Sequence, residues 1–179
     1  MPHIHTEPGQ YDHTASAFLF RTDFAEPKVM LHLHKKYGCY MQFGGHIELN
    51  ESPWQAITHE LREESGYDIT QVSLSQPHIR IRKHSDSAHT TLHPQPVSHA
   101  THKVSDDHFH TDTVYALTTA QEPQLQPEAG ESTHIQLFNR AELAALSDEK
   151  IYPNIRETAL FIFDEVLPNW EVVSPAEYK

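Results

Sequence analysis

Residues 45–67 read GHIELNESPWQAITHELREESGY, a stretch that combines helix signals with closely spaced acidic side chains. Ser52 is a favourable N-cap residue, Pro53 suits the first helical position, and Gln55 completes a capping box. Gly66 suits a left-handed C-terminal stop. The stretch therefore predicts a helix that begins at Pro53 and ends at the residue before Gly66.

Three glutamates, Glu60, Glu63 and Glu64, fall within an arc of about 100° on this helix. Their arc borders the apolar stripe that should pack on a sheet, namely Trp54, Ile57 and Leu61. Like charges three and four residues apart repel by roughly 0.2–0.5 kcal/mol per pair. A solvated acidic face is one explanation of such a cluster. The other is a site for a hard divalent cation, which prefers oxygen ligands. Spacing alone leaves both open.

Composition limits the classes of function. The chain has 179 residues, a hydrophobic fraction of 37% and a net charge of −12, which disfavours nonspecific binding to nucleic acid or to an anionic membrane. Cys39 is the only cysteine, so an intramolecular disulfide or a multi-cysteine zinc site is excluded. The sequence shows neither a membrane-span pattern nor a signal-peptide core, which favours a cytoplasmic protein. Whether the chain forms a homodimer is left open.

Hydrophobic patterning predicts a mixture of strands and helices, of class α/β or α+β. The predicted strands are 15–21, 28–34, 69–82, 110–119 and 134–138, and further helices are predicted near 140–147 and over 153–167. We expect a single domain over 1–179. Within it, residues 1–12 are expected to be loose, and residues 83–108 to form a long polar, histidine-rich loop.

The stretch at 45–67 resembles the Nudix box. That pattern is glycine, five residues, glutamate, seven residues, arginine–glutamate–aliphatic, one residue, two glutamates, one residue, glycine and a hydrophobic residue. The matching positions are Gly45, Glu51, Glu60, Leu61, Glu63, Glu64 and Gly66. The resemblance implies the Nudix fold, a mixed β-sheet sandwiched between helices. It also implies hydrolysis of the pyrophosphate bond in a nucleoside diphosphate linked to another moiety.

The resemblance also implies roles for residues of the box. Glu60 and Glu64 would be the main ligands of Mg²⁺ or Mn²⁺, and Glu63 would assist as a ligand or a catalytic base. The carbonyl group of Gly44 or Gly45 would complete the coordination. The metal ions would neutralise the pyrophosphate oxygens, which lets an acidic protein accept an acidic substrate.

Further carboxylates and one departure from the pattern complete this comparison. Glu51 would support the site near the attacking water, and Glu131 from a downstream loop, with Glu128 behind it, could be an additional ligand or base. His59 stands where the family has an arginine that pairs with the box carboxylates. Histidine can donate a hydrogen bond to Glu63, four residues on, but it lacks the fixed cationic fork of arginine.

Candidate substrate contacts are basic side chains outside the helix. Arg80 and Arg82 are expected to share one face of a strand, and Lys35 and Lys36 precede the glycine loop, so each could hold a phosphate. Ordinary surface charge explains them equally well. His46 lies inside the box and is expected near the substrate.

Eight of the 16 histidines lie between His78 and His110. His93, His108 and His110 could donate to phosphate or bind a transition metal, and period two places the last two on one strand face. Scattered surface histidines in a polar loop are the alternative.

Three other functions compete with hydrolysis. A Nudix-fold nucleotide-binding or regulatory module with little turnover is the main alternative, which His59 favours and the intact glutamates disfavour. An isopentenyl diphosphate isomerase would need a cysteine motif that YGCYMQ does not resemble. A histidine-rich metal buffer would leave the box unexplained.

Overall fold

Strands whose side chains alternate between two apolar faces supply the centre of the structure. The computed structural model describes residues 7–85 and 89–178. The strands in chain order are β1 (Tyr11–Arg21), β2 (Lys28–Leu33), β3 (Tyr40–Met41), β4 (Phe43–His46), β5 (Ser73–Gln76), β6 (Ser98–Ser105), β7 (His108–Thr119), β8 (Ile135–Phe138) and β9 (Glu171–Val173).

The helices are α1 (Pro53–Ser65), α2 (Arg140–Ala144) and α3 (Pro153–Phe161). α3 continues through a π-helical turn, Ile162–Val166, into a short helical segment, Leu167–Asn169. Short 3₁₀ turns lie at Ile69–Gln71 and Pro175–Glu177. None of the helices formed by the described part of the chain is long and apolar enough to cross a membrane.

The strands within the described ranges form one mixed sheet of nine strands, in the order β3-β2-β1-β7-β5-β9. In addition, β4 pairs with β1, β6 pairs with β7, and β8 pairs with β2. β1 and β7 run parallel, whereas the other strand pairs are antiparallel. β1 lies inside the sheet and pairs with β2, β4 and β7.

The sheet lies between helices. One core contains Ala15, Ala17 and Leu19 of β1 together with Trp54, Ile57 and Leu61 of α1. The other core contains Phe18 and Phe20 of β1 together with Ile155, Ile162 and Val166 from α3 and its π-helical turn. This arrangement confirms the predicted α+β class and the mixed sheet sandwiched between helices.

α1 begins and ends where its capping residues predict. The Ser52 side chain accepts from the N–H of Gln55, and the Gln55 side chain accepts from the N–H of Ser52, which is a capping box. Gly66 has φ +75° and its N–H donates to the carbonyl oxygen of Arg62. The helix of the glutamates is thus fixed at both ends by local interactions.

The strand predicted over 69–82 is much shorter in the structure. β5 ends at Gln76, immediately before Pro77, which cannot donate a hydrogen bond to a neighbouring strand. Arg80 and Arg82 therefore lie beyond the strand, and the prediction that they share a strand face is wrong.

Two segments expected to be irregular contribute to the sheet. Ser98–Ser105 forms β6, so this part of the predicted loop over 83–108 is a strand paired with β7. Its side chains are almost all exposed, and an edge strand with no face to bury needs no apolar pattern. β1 begins at Tyr11, inside the segment expected to be loose. Residues 1–6 and 86–88 of these two predictions lie outside the described ranges.

Candidate active site

The carboxylates of Glu60 and Glu64 lie in the interior, between α1 and the paired glycines of β4. The two residues are 8% and 7% exposed, respectively. The backbone N–H of Gly44 donates a hydrogen bond of 2.7 Å to Glu64 Oε2. A Cβ atom on Gly45 would lie only 2.2 Å from Glu60 Oε1. β4 therefore contacts both carboxylates, and at Gly45 this contact depends on the absence of a side chain.

Both carboxyl groups bind their protons unusually strongly. Burial raises the pKa of Glu64 to about 9, and the nearby carboxylates contribute to the rise. Burial also raises the pKa of Glu60 to about 7, although His59 opposes the rise. Within residues 7–85 and 89–178, no lysine or arginine forms an ion pair with either glutamate. When both are ionised, the pair therefore requires a positive partner from elsewhere.

His59 lies between two carboxylates of the box. Its Nδ1 atom is 3.0 Å from Glu51 Oε2, and its Nε2 atom is 3.5 Å from Glu60 Oε1. The backbone N–H of Glu48 donates 2.8 Å to the other oxygen of Glu51. The expected partner was Glu63. The structure corrects this, because a helical side chain extends toward the N-terminus of its helix, where Glu51 lies.

β2 contributes a histidine that the sequence analysis did not single out. His32 is 3% exposed, and its Nδ1 atom lies 3.7 Å from Glu64 Oε1. Burial lowers the pKa of His32 to about 4, so the imidazole is neutral at neutral pH and supplies no positive charge. The alternation of β2 was the available signal, since it places His32 on the same face as Met30, which packs toward α1.

Glu63 and Glu131, the other predicted carboxylates, lie at the edge of this buried pair. Both are half-buried, and the charge of each raises the pKa of Glu60 and of Glu64. Glu128 is exposed, and its backbone N–H donates 2.7 Å to the carbonyl oxygen of Glu63. The loop that carries Glu131 is thus attached to the C-terminal part of α1.

The basic side chains that were predicted to contact the substrate lie in two different parts of the structure. Lys35 Nζ donates 2.6 Å to the carbonyl oxygen of Gly130, next to Glu131, so it lies on the glutamate side. Lys36 is exposed. Arg80 and Arg82 instead both pair with Glu171 of β9. These two guanidinium groups hold the C-terminal strand and are not brought to the glutamates.

His46 does not face the glutamates. The adjacent Gly45 faces Glu60, and successive residues of a strand point to opposite faces of the sheet. His46 is paired with Thr14 of β1 and lies 3.5 Å from Asp12 through its Nε2 atom. His108 Nε2 of β7 lies 3.4 Å from the same carboxylate oxygen of Asp12, and His110 Nε2 lies 2.9 Å from His108 Nε2. His93 lies apart from them, in the irregular segment before β6.

The glutamate arrangement suits a hard divalent cation better than the solvated acidic face that was its alternative. The two central carboxylates are buried, two further carboxylates surround them, and the adjacent histidine is neutral. Oxygen-rich, anionic surroundings of this kind favour Mg²⁺ or Mn²⁺. The residues present therefore fit the metal that the box implies.

Comparison with known proteins shows the family to which the chain belongs. The family described as "NUDIX domain" matches residues 12–158. The chain belongs to the Nudix family. The crystal structure of a NUDIX-family hydrolase from Clostridium perfringens is 35% identical over 86% of this chain and 96% of that chain, with a TM-score of 0.71. The protein is accordingly a Nudix hydrolase, an enzyme of the pyrophosphohydrolase class.

More distant Nudix structures share its fold. The Ap4A hydrolase of Caenorhabditis elegans is 14% identical, over 84% of this chain and 94% of that chain, with a TM-score of 0.58. The NUDIX domain of Shewanella oneidensis NrtR, complexed with ADP ribose, is 14% identical over 84% of this chain and 86% of that chain, with a TM-score of 0.53. No curated protein sequence significantly matches this Nudix hydrolase.

Proposed function

We propose that this Nudix hydrolase cleaves, with Mg²⁺ or Mn²⁺, the pyrophosphate bond of a nucleoside diphosphate linked to a second group. The observation that carries the proposal is the buried pair Glu60 and Glu64, which has no lysine or arginine partner within the described ranges. A pyrophosphate substrate is itself anionic. A cation between the ionised glutamates and the substrate would remove the repulsion between them.

The residues around this pair have distinct proposed roles. Glu60 and Glu64 are the main ligands, with Glu63, Glu131 and a carbonyl oxygen of Gly44 or Gly45 as further candidates. A cation held by these residues would neutralise pyrophosphate oxygens, polarise phosphorus and lower the pKa of the attacking water. The N–H of Gly44 orients Glu64 by donating to its Oε2 atom, which leaves Oε1 to bind the cation.

Proton transfer from the attacking water needs a carboxylate at the edge of the site. Glu63 and Glu131 are half-buried, so either can accept a proton and pass it to solvent. Glu51 is fixed by the N–H of Glu48 and by His59. Through His59 it is connected to Glu60, and this connection supports the position of that ligand.

The proposed substrate class follows the chemistry of the distant relatives. One is an Ap4A hydrolase, and another was crystallised with ADP ribose. ADP ribose joins a nucleoside to a second group through a pyrophosphate bridge, and Ap4A joins two adenosines through a chain of four phosphates, so both molecules contain phosphoanhydride bonds. A panel of such compounds, varied in the nucleoside and in the second group, is therefore the substrate set to examine first.

The test is Mg²⁺-dependent release of product across this panel, detected with a phosphatase that acts only on the phosphomonoesters formed. We expect Glu60→Gln and Glu64→Gln each to lower turnover by about a hundredfold or more, because each removes one charged ligand and keeps the side-chain shape. Glu149→Gln, at an exposed position, is the matched control and should retain turnover. Circular dichroism would confirm that all three variants are folded.

Nucleotide binding without turnover is the second candidate, favoured by the presence of His59 where the family has arginine. The same panel distinguishes it. Binding of a compound without its hydrolysis, in either Mg²⁺ or Mn²⁺, would replace the proposed enzyme activity with a binding function. Normal turnover in both glutamine variants would instead remove the metal-site assignment.

A further inference from the structure

A second group of potential metal ligands lies away from Glu60 and Glu64. It consists of Asp12, His46, His108 and His110, which we call the histidine cluster. One ligand atom from each residue lies within 4.8 Å of the others. The four residues belong to three strands, β1, β4 and β7, and the cluster exists only when these strands are paired.

Strand register brings the histidine cluster together. β1 and β7 are parallel, and Asp12 is directly opposite His110. His108 lies two residues earlier in β7 and so points to the same face. β4 pairs with β1 on its other edge, with His46 opposite Thr14, two residues from Asp12. The four side chains therefore occupy one face of the sheet, on three adjacent strands.

This face is the opposite one from the glutamates. Gly45 faces Glu60 on the α1 side, so the next residue, His46, faces the other way. The same alternation applies to β1, where Ala15 packs toward α1 and Phe18 packs in the core on the α3 side. The histidine cluster is thus a separate site that does not share side chains with the glutamate site.

The distances are close to those of a tetrahedral metal site. His108 Nε2 is 2.9 Å from His110 Nε2 and 3.4 Å from Asp12 Oδ2, and His46 Nε2 is 3.5 Å from the same oxygen. Ligand atoms on a tetrahedral Zn²⁺, with bonds of about 2.0–2.1 Å, lie about 3.3 Å from each other. Small adjustments of the side chains would be sufficient to close the cluster around an ion.

Asp12 provides an independent indication of a missing partner. Its side chain is 5% exposed, and its Oδ1 atom has no hydrogen-bond partner among the described residues. A buried carboxylate oxygen without a partner is unfavourable, and such atoms are uncommon in native proteins. Its other oxygen, Oδ2, lies near the Nε2 atom of His46 and the Nε2 atom of His108. The carboxylate is therefore positioned as the anionic member of a ligand set.

We propose that the histidine cluster binds one transition-metal ion of the zinc type. Zn²⁺ accepts both imidazole nitrogen and carboxylate oxygen, whereas Mg²⁺ prefers oxygen ligands, so a set with three imidazole nitrogens and one carboxylate oxygen favours Zn²⁺. The ion joins β1, β4 and β7 at one end of the sheet. It is a structural site, distinct in position and in metal preference from the site proposed for hydrolysis.

Zinc binding by the whole chain tests this proposal. The protein is treated with a chelator, dialysed, and titrated with Zn²⁺ in the presence of excess Mg²⁺, which occupies oxygen-rich sites. We expect one tightly bound Zn²⁺ per chain in the wild type. Replacing zinc with Co²⁺ should give the visible absorption of a tetrahedral site with nitrogen and oxygen ligands.

Variants assign the ion to its ligands. We expect His108→Ala and His110→Ala to weaken zinc binding by about a hundredfold, and Asp12→Asn, which keeps the shape of the side chain, by about tenfold. His102→Ala is the matched control, because its ring lies 5.4 Å from that of His110 but it is not a member of the cluster. It should bind zinc as the wild type does. Should an alanine variant fail to fold, Asp12→Asn carries the test.

Three outcomes would overturn the proposal. They are no tight zinc in the wild type, unchanged zinc affinity in the Asp12 and His108 variants, and loss of zinc in Glu64→Gln. The last outcome would place the ion at the glutamate site. Glu64→Gln thus also separates the two proposals, because it should lower turnover by about a hundredfold or more and retain the zinc ion.

Discussion

Gly44 and Gly45 are adjacent, but a side chain on each would collide with a different neighbour. A Cβ atom on Gly44 would lie 2.2 Å from the carbonyl oxygen of Ala15, and Gly44 has φ +140°. A Cβ atom on Gly45 would instead meet the carboxylate of Glu60. The first collision involves backbone of the central strand, and the second involves a side chain of the candidate site.

These contacts predict different results for two similar substitutions. Gly44→Ala should lower the free energy of unfolding by about 3 kcal/mol, because backbone must move and the conformation is strained. Gly45→Ala should lower turnover by about tenfold or more by displacing Glu60, with a smaller loss of stability. Urea unfolding and turnover measurements would check both. Equal effects of the two substitutions on stability and turnover would contradict this assignment.

His59 allows a second prediction at the same scale. It contacts both Glu51 and Glu60, so His59→Ala should lower turnover by about tenfold by releasing the two carboxylates. His59→Arg should preserve turnover or raise it, because arginine can donate to two carboxylates at any pH of the assay. Comparable loss in both variants would show that His59 is needed for its shape rather than for its contacts.

Some residues of the site could be predicted from the sequence and others could not. Glu60, Glu63 and Glu64 are close together in the chain, and helical periodicity alone places them on one arc. His32 is far from them in sequence, and the alternation of β2 indicates the face on which His32 lies but not that its partner is Glu64. The prediction that Arg80 lies on a strand face was wrong. Arg80 pairs with Glu171, and this pairing depends on where the distant strand β9 lies in the fold.

At the scale of elements, α1 was predictable because its boundaries are determined by local hydrogen bonds. Ser52, Gln55 and Gly66 are all within the helix or next to it, and each acts through its immediate neighbours. β6 was not predictable, because its partner β7 alone determines that it is a strand. The histidine cluster has the same origin, since it depends on the register between β1 and β7.

The capping box of α1 should contribute to stability without affecting chemistry. Ser52→Ala should lower the free energy of unfolding by about 1 kcal/mol, since the N–H of Gln55 loses its acceptor. Ser52→Thr, which retains the hydroxyl group, is the control and should lose much less. Turnover measured well below the melting temperature should be similar in both variants. A large fall in turnover for Ser52→Ala would mean that the helix start also positions the glutamates.

At the scale of the whole molecule, the buried glutamates connect stability to pH. The pKa of Glu64 is raised to about 9 from its usual value of 4.5, so the folded protein retains a proton that the unfolded chain loses. The contribution of Glu64 to stability therefore decreases as pH rises from 4.5 to about 9. His32, whose pKa is lowered to about 4 from 6.5, has the opposite effect only below pH 6.5.

A divalent cation should replace the lost proton. We therefore expect the rise in melting temperature caused by millimolar Mg²⁺ or Mn²⁺ to be larger at pH 9 than at pH 6.5. Both pH values lie at or above the upper end of the range in which His32 affects stability. Differential scanning fluorimetry at both pH values would measure the effect. In Glu64→Gln the metal-induced rise in melting temperature should differ much less between the two pH values. A difference equal to that of the wild type would exclude Glu64 as its source.

The opposite orientations of Gly45 and His46 constrain the length of β4 as well as its composition. Deleting one residue from β4 while its pairing with β1 is retained would turn each following side chain to the other face. An imidazole would then be directed at Glu60, and Asp12 would lose a neighbour. Substitutions in this strand alter one site at a time. A one-residue insertion or deletion would damage both sites at once. Evolutionary change in this strand should therefore occur by substitution and not by insertion or deletion.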